Sequence, residues 1–216
     1  MFSAASSASS SADSARRSAD PNRSSSPESI SFMRVLSPFV NALRSIRRVS
    51  QIRQYTNDPV PDEVIDQLLE LARWTGSSRN MQPWQFIVVR DKGKLKELSS
   101  LRPNINWAAD APVAIAIVME PNSGTQGAYD EGRLTERILT GATMLGYGGG
   151  VAWFGESQHE ASAKRTLGVP EDKVARQMVM IGKPKTRDDP RGYGPKRGRR
   201  PLSEIVHFER FGARKP

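Results

Sequence analysis

At 216 residues and 37% hydrophobic, the chain is long enough to bury a full core within one domain. It holds no cysteine and only two histidines, His159 and His207. That excludes disulfides and thiolate sites and leaves little for an imidazole metal centre, so any redox chemistry falls to an organic cofactor.

The formal charge of +9 is concentrated, because residues 183–200 carry eight basic side chains against Asp188 and Asp189. Such a cluster suits a phosphate or nucleic-acid contact, or equally a solvated loop. Residues 1–31 hold thirteen serines and almost nothing apolar, so they are expected to form a disordered tail, with the folded domain spanning 32–216. This tail lacks the apolar core of a secretory signal, and Asp13, Asp20 and Glu28 argue against a transit peptide. A flexible extension, or a start upstream of Met33, is the simpler account. No apolar run approaches the roughly 20 residues of a spanning helix, so a soluble, cytoplasmic protein is expected.

From Phe32 the pattern changes. Leu36, Phe39, Val40, Leu43 and Ile46 recur at helical spacing. Pro61, Asp62 and Glu63 open a second helix, whose apolar face runs through Ile65, Leu68 and Ala72. A polar loop from Thr75 leads to a buried strand at 86–89, then a short helix near 94–100 and a second strand at 113–119. Residues 121–128 read as a loop, before a helix of near-average length marked by Leu134, Ile138, Ala142 and Leu145 and closed by Gly146. Three glycines at 148–150 precede a strand at 151–154. Ser157 and Glu160 form a capping box for a helix that Gly168 ends, and a strand follows at 174–181. The last apolar residues, Leu202, Ile205, Val206, Phe208 and Phe211, complete no element of their own and are expected to pack on another surface. Alternation of helices and strands indicates an α+β or α/β domain.

Three polar clusters stand apart from this core pattern. Arg48, Ser50, Gln51 and Arg53 follow the first helix, where arginines can grip a phosphate or simply complement the helix dipole. Ser77, Ser78 and Asn80 form the second cluster, a turn dense in hydrogen-bonding groups. The third is Lys196-Arg197-Gly198-Arg199-Arg200-Pro201. Gly148-Gly149-Gly150 lacks dinucleotide spacing, and allows close backbone approach either to a ligand ring or to a packed neighbour. Asp130, Glu131 and Glu136 read as a solvated helix face, and neither histidine has the partners of a hydrolytic triad.

Taken together and in order, these stretches resemble the FMN-dependent nitroreductase family over about residues 40 to 212. The likeness includes the Arg/Ser-rich segment before Tyr55, Asp-Pro-Val-Pro-Asp-Glu-Val at 58–64 and Asn-x-Gln-Pro-Trp at 80–84. It extends to Leu-Gly-Tyr-Gly-Gly-Gly at 145–150 and Arg-Arg-Pro-Leu-Ser-Glu-Ile-Val-His-Phe at 199–208. The resemblance implies an α+β fold with a mainly antiparallel sheet flanked by helices, in a homodimer whose C-terminal segments wrap onto the partner. It also implies FMN at two interface sites. Arg48, Ser50, Gln51 and Arg53 would contact its ribityl chain, phosphate or pyrimidine edge, and Ser77, Ser78 and Asn80 the FMN of the partner. Asn104 would lie near the ring, Gly149 and Gly150 beside it, and Arg197 and Arg199 on the phosphate. The chain departs from the family at Val49-Ser50-Gln51, where Arg-Arg-Ser is usual and Arg48 would substitute for the first arginine, and at Arg79, where a small residue is frequent. Arg79 either biases the site toward an anionic acceptor or points to solvent.

The implied activity is reduction of a quinone, nitroaromatic or similar small acceptor by NADH or NADPH in two half-reactions, with no catalytic side chain and no metal. Other flavin chemistry on the same fold, reductive dehalogenation or flavin breakdown, is the second reading. A basic nucleic-acid-binding protein using 183–200 and the Ser/Arg tail ranks last, since the body is near neutral.

Overall fold

A computed structural model describes residues 42–121, 124–185 and 199–214. Helix α1, described over 42–47, leads through an extended segment to α2 (Asp62–Arg73). Then β1 (Trp84–Val89), α3 (Lys92–Ser100), β2 (Val113–Met119), α4 (Gly124–Met144), β3 (Gly148–Trp153), α5 (Ser157–Leu167) and β4 (Val174–Gly182) alternate along the chain, and a one-turn α6 (Leu202–Ile205) follows. The expected boundary between tail and domain at residues 31 and 32 lies outside the described residues.

The four strands form one sheet in the order β1-β2-β4-β3, and each neighbouring pair is antiparallel. The fold is therefore α+β. Central β2 is buried at every position because both sheet faces are covered, and the alternation of its side chains sorts two cores. Val113, Ile115 and Ile117 join Ile65, Leu68, Leu134 and Ile138 under α2 and α4. Ala114 and Ala116 face the other way, with Leu95, Leu98, Phe154 and Met178 under α3 and α5.

The register fixes the two ends of this sheet. At one end lie Val89, Ala114, Ile181 and Gly149; at the other lie Trp84, Met119 and Val174. With a rise of about 3.3 Å per residue, the ends are roughly 20 Å apart.

Three expectations are corrected by tertiary contacts. Helix α4 begins at Gly124 and runs 21 residues, so most of the stretch expected to be a loop is helical. Gly124 and Gly127 weaken the local helical signal, but the first turns are tied down by their acids. Asp130 and Glu131 are buried rather than solvated. Asp130 pairs with Arg133 at 3.2 Å, and Glu131 with Arg176 on β4 at 2.8 Å. Burial pushes the Glu131 carboxyl above the usual carboxylate range, with Arg176 opposing the shift. The expected capping box is also absent: Glu156 holds the cap position of α5 without a side-chain bond, and the Glu160 carboxylate instead accepts the backbone N–H of Ala175 at 2.8 Å.

Candidate functional site

The first cluster is organised by a segment that runs beside the open edge of β3. The Ile52 N–H donates to the Gly149 carbonyl at 2.8 Å, and the Val151 N–H donates to the Gln51 side-chain oxygen at 2.8 Å. Further along, the Thr56 N–H donates to the Lys183 carbonyl and the Lys185 N–H to the Gln54 carbonyl. The buried Tyr55 hydroxyl donates to the Ile52 carbonyl at 2.6 Å, and burial raises its pKa, which keeps it a donor. Arg48 and Ser50 are thereby left exposed, while Gln51 and Arg53 are half-buried.

The glycines explain how the segment comes so close. A Cβ on Gly148 would meet Ile52 Cγ1 at 2.6 Å, one on Gly149 would meet Leu139 Cδ2 at 2.5 Å, and one on Gly150 would run into the Ile52 carbonyl oxygen. Of the two uses read from the sequence, packing on protein neighbours accounts for all three.

Trp107 links this end and was overlooked in the sequence. Its indole lies 5.6 Å below the Arg53 guanidinium, its Nε1 donates to the Asn104 carbonyl at 3.1 Å, and its Cη2 is 2.9 Å from where a Cβ of Gly150 would stand. Arg53, Asn104 and Gly150 are thus brought together around one ring. A tryptophan following Asn104 and Asn106 in an irregular stretch was the available signal. Among the third cluster's residues, Arg199 is exposed and Arg197 lies outside the described residues. Arg200 pairs with Glu204 at 3.2 Å.

The second cluster sits at the opposite end of the sheet. Between α2 and β1 the chain turns with positive φ at Arg79 (51°), Asn80 (56°) and Gln82 (48°). Left-handed backbone costs an L-residue about 1 kcal/mol, asparagine less than most. Side-chain bonds hold the turn closed: the Gln82 N–H donates to Ser77 Oγ at 2.9 Å, and Gln82 Nε2 donates to the Asn80 carbonyl at 3.3 Å. Ser78 and Asn80 are exposed.

This turn forms one wall of a cleft of about 670 Å³, with Glu120, Pro121, Gln126 and Asp130 opposite. Lys173 Nζ donates to both Glu120 oxygens at 2.8 Å and is the main reason the Glu120 carboxyl sits below its ordinary range. Another cavity, of about 690 Å³, lies on the outer face of α2 and α4 beside Leu71, Tyr129 and Met144, all three exposed.

One chain therefore brings Gln51, Arg53, Asn104, Gly149 and Gly150 together, and separately groups Ser77, Ser78 and Asn80, about 20 Å away by the length of β2. The described residues include no group of three or more His, Cys, Asp and Glu that could hold a metal ion, and no helix among them is long and apolar enough to cross a membrane.

Comparison with known proteins points one way. The sequence profile of the nitroreductase family matches residues 46–103. A protein of Archaeoglobus fulgidus, provisionally described as an NADH dehydrogenase/NAD(P)H nitroreductase, is 33% identical over 154 residues, covering 68% of this chain and 87% of the relative. An FMN reductase [NAD(P)H] of Bacillus subtilis is 31% identical over 117 residues, covering 51% of this chain and 47% of its own. Among solved structures, an FMN-dependent nitroreductase from Clostridium difficile shares the fold with a TM-score of 0.67, at 24% identity, covering 77% of this chain and 98% of the other.

Proposed function

The chain belongs to the nitroreductase family, and on that premise we propose that it is an NAD(P)H-dependent oxidoreductase that holds FMN at two sites shared between the protomers of a homodimer. The separation of the two polar clusters carries this reading. A two-fold axis carries each patch of one protomer to the partner in exchange, so the Ser77–Asn80 turn of one chain meets the Arg53 end of the other.

The donor set fits a phosphorylated flavin. Arg48, Arg53, Arg197 and Arg199 offer guanidinium groups to a phosphate. Ser50, Gln51, Ser77, Ser78, Asn80 and Asn104 offer hydroxyls and amides to a ribityl chain and a polar ring edge. Gly149 and Gly150 would contribute through their backbone beside the ring, Gly150 also admitting the Ile52 carbonyl and Trp107 that position the Arg53 segment. The C-terminal segment supports the dimer: Leu202 is 72% and Phe211 92% exposed, and the hydrogen bonds from Phe208 to Ala213 and from Arg214 to Ser203 and Val206 run within the segment. An apolar stretch of that kind is covered by a second copy that it wraps.

Held there, FMN would supply the redox chemistry that links oxidation of NADH or NADPH to reduction of a quinone or nitroaromatic acceptor. The protein's part is positional and electrostatic. Arg53, braced on Trp107, presents a fixed positive charge to any anion that develops beside it. The 51–56 segment, bonded to β3 and to Lys183 and Lys185, keeps that charge from relaxing. No side chain is assigned an acid or base role.

Light scattering, an absorption spectrum and a nicotinamide titration of the purified protein test this reading. A yellow dimer that oxidises NADH or NADPH once a quinone is added is the expected result. A colourless protein that cannot be loaded with FMN refutes it. Bound FMN with negligible nicotinamide oxidation turns the reading toward dehalogenation or other flavin chemistry.

A further inference from the structure

We propose that Arg79 selects acceptors that carry an anionic group, a carboxylate, sulfonate or phosphate, on an aromatic body. This rests on the reading above, because the turn that bears Arg79 is the one assigned to the flavin of the partner.

Charge in the cleft is the first argument. Its acids are already engaged, Glu120 by Lys173 through two bonds of 2.8 Å and Asp130 by Arg133 at 3.2 Å. Arg79 lines the same cleft, is exposed, and makes no hydrogen bond or ion pair among the described residues. It is the cleft's unbalanced cation, so the charge that completes the site is negative.

Backbone is the second. Arg79 is held at φ 51°, where glycine or asparagine would sit at lower cost. The bond from the Gln82 N–H to Ser77 Oγ closes the turn around it. A long cation kept in such a conformation at a cleft wall points to use of the side chain. Met81, Pro83 and Pro121 supply apolar surface beside it, which accommodates a ring while the guanidinium takes the anionic head.

The test uses para-nitrobenzoate and para-nitrobenzamide, which share size and nitro group and differ in charge. For the holoenzyme, kcat/KM should favour the benzoate. Arg79→Asn removes the charge while suiting the left-handed backbone, and should cut the benzoate-to-benzamide ratio about tenfold, the scale of one charge-assisted hydrogen bond. Arg79→Lys should keep most of the ratio. Calorimetric titration of both compounds into the protein as purified reads the same preference without turnover, so a failure to reduce either compound counts against the proposed activity and not against Arg79. A ratio unaltered in Arg79→Asn, or equal binding of the two compounds by the parent protein, overturns the proposal.

Discussion

Replacing Gly150 by alanine tests whether the glycine strand and the Arg53 end form one unit. The new Cβ would run into the Ile52 carbonyl oxygen and stand 2.9 Å from Trp107 Cη2 and 3.1 Å from Cζ3. The obstacle is backbone on one side and a ring anchored to Asn104 at 3.1 Å on the other, so rotamer changes cannot relieve it. The segment must lift from β3, which strains the 2.8 Å bonds from Ile52 to Gly149 and from Val151 to Gln51. Two weakened bonds at about 1 kcal/mol each, with the strain of overpacking, amount to roughly 3 kcal/mol. For a domain of this size that lowers Tm by about 6–12 °C. Arg53 would move with its segment, so FMN retention should fall as well. Thermal melts with and without added FMN, together with flavin release on dilution, measure both. A Tm within about 2 °C of the parent, a shift corresponding to no more than about 1 kcal/mol, with unchanged flavin content, would refute the reasoning.

Two further outcomes are expected. Ser77→Ala removes the acceptor that closes the turn at Gln82 and should open it by about 1 kcal/mol; hydrogen exchange at the Gln82 amide should then be faster, and unchanged protection would count against the role given to Ser77. Glu131→Gln addresses pH. Burial raises the folded pKa of Glu131 above its ordinary 4.5, so its contribution to stability is fully present below that value and is lost as pH rises through the folded pKa. Denaturant titrations should therefore show Glu131→Gln gaining on the parent as pH rises from 4.5, and a difference that is flat or falls with pH contradicts the sign.

Local pattern was enough for much of the fold. The seven apolar residues of β2 read as a strand with the bounds it has in the structure, and Gly168 ends α5 with φ 68° as a glycine cap should. The polar clusters were equally visible, because short hydroxyls, amides and arginines between apolar runs have no place in a core. Periodicity reports which face of an element is buried, and propensity reports where an element stops.

Neither reports what a polar side chain will meet. Asp130 and Glu131 look solvated on a helical wheel and are buried because Arg133 and Arg176 reach them. Glu160 looks like a cap and bonds to the backbone of β4. The glycines at 148–150 were compatible with a ligand or a neighbour, and Ile52, Leu139 and Trp107 occupy the space their missing side chains leave. Most decisive is the strand register: it puts the two polar clusters at opposite ends of one sheet, a distance that only the pairing of strands distant in sequence determines. The chain itself specified which polar groups stand apart from the core; the tertiary structure decided that they lie at opposite ends of one sheet.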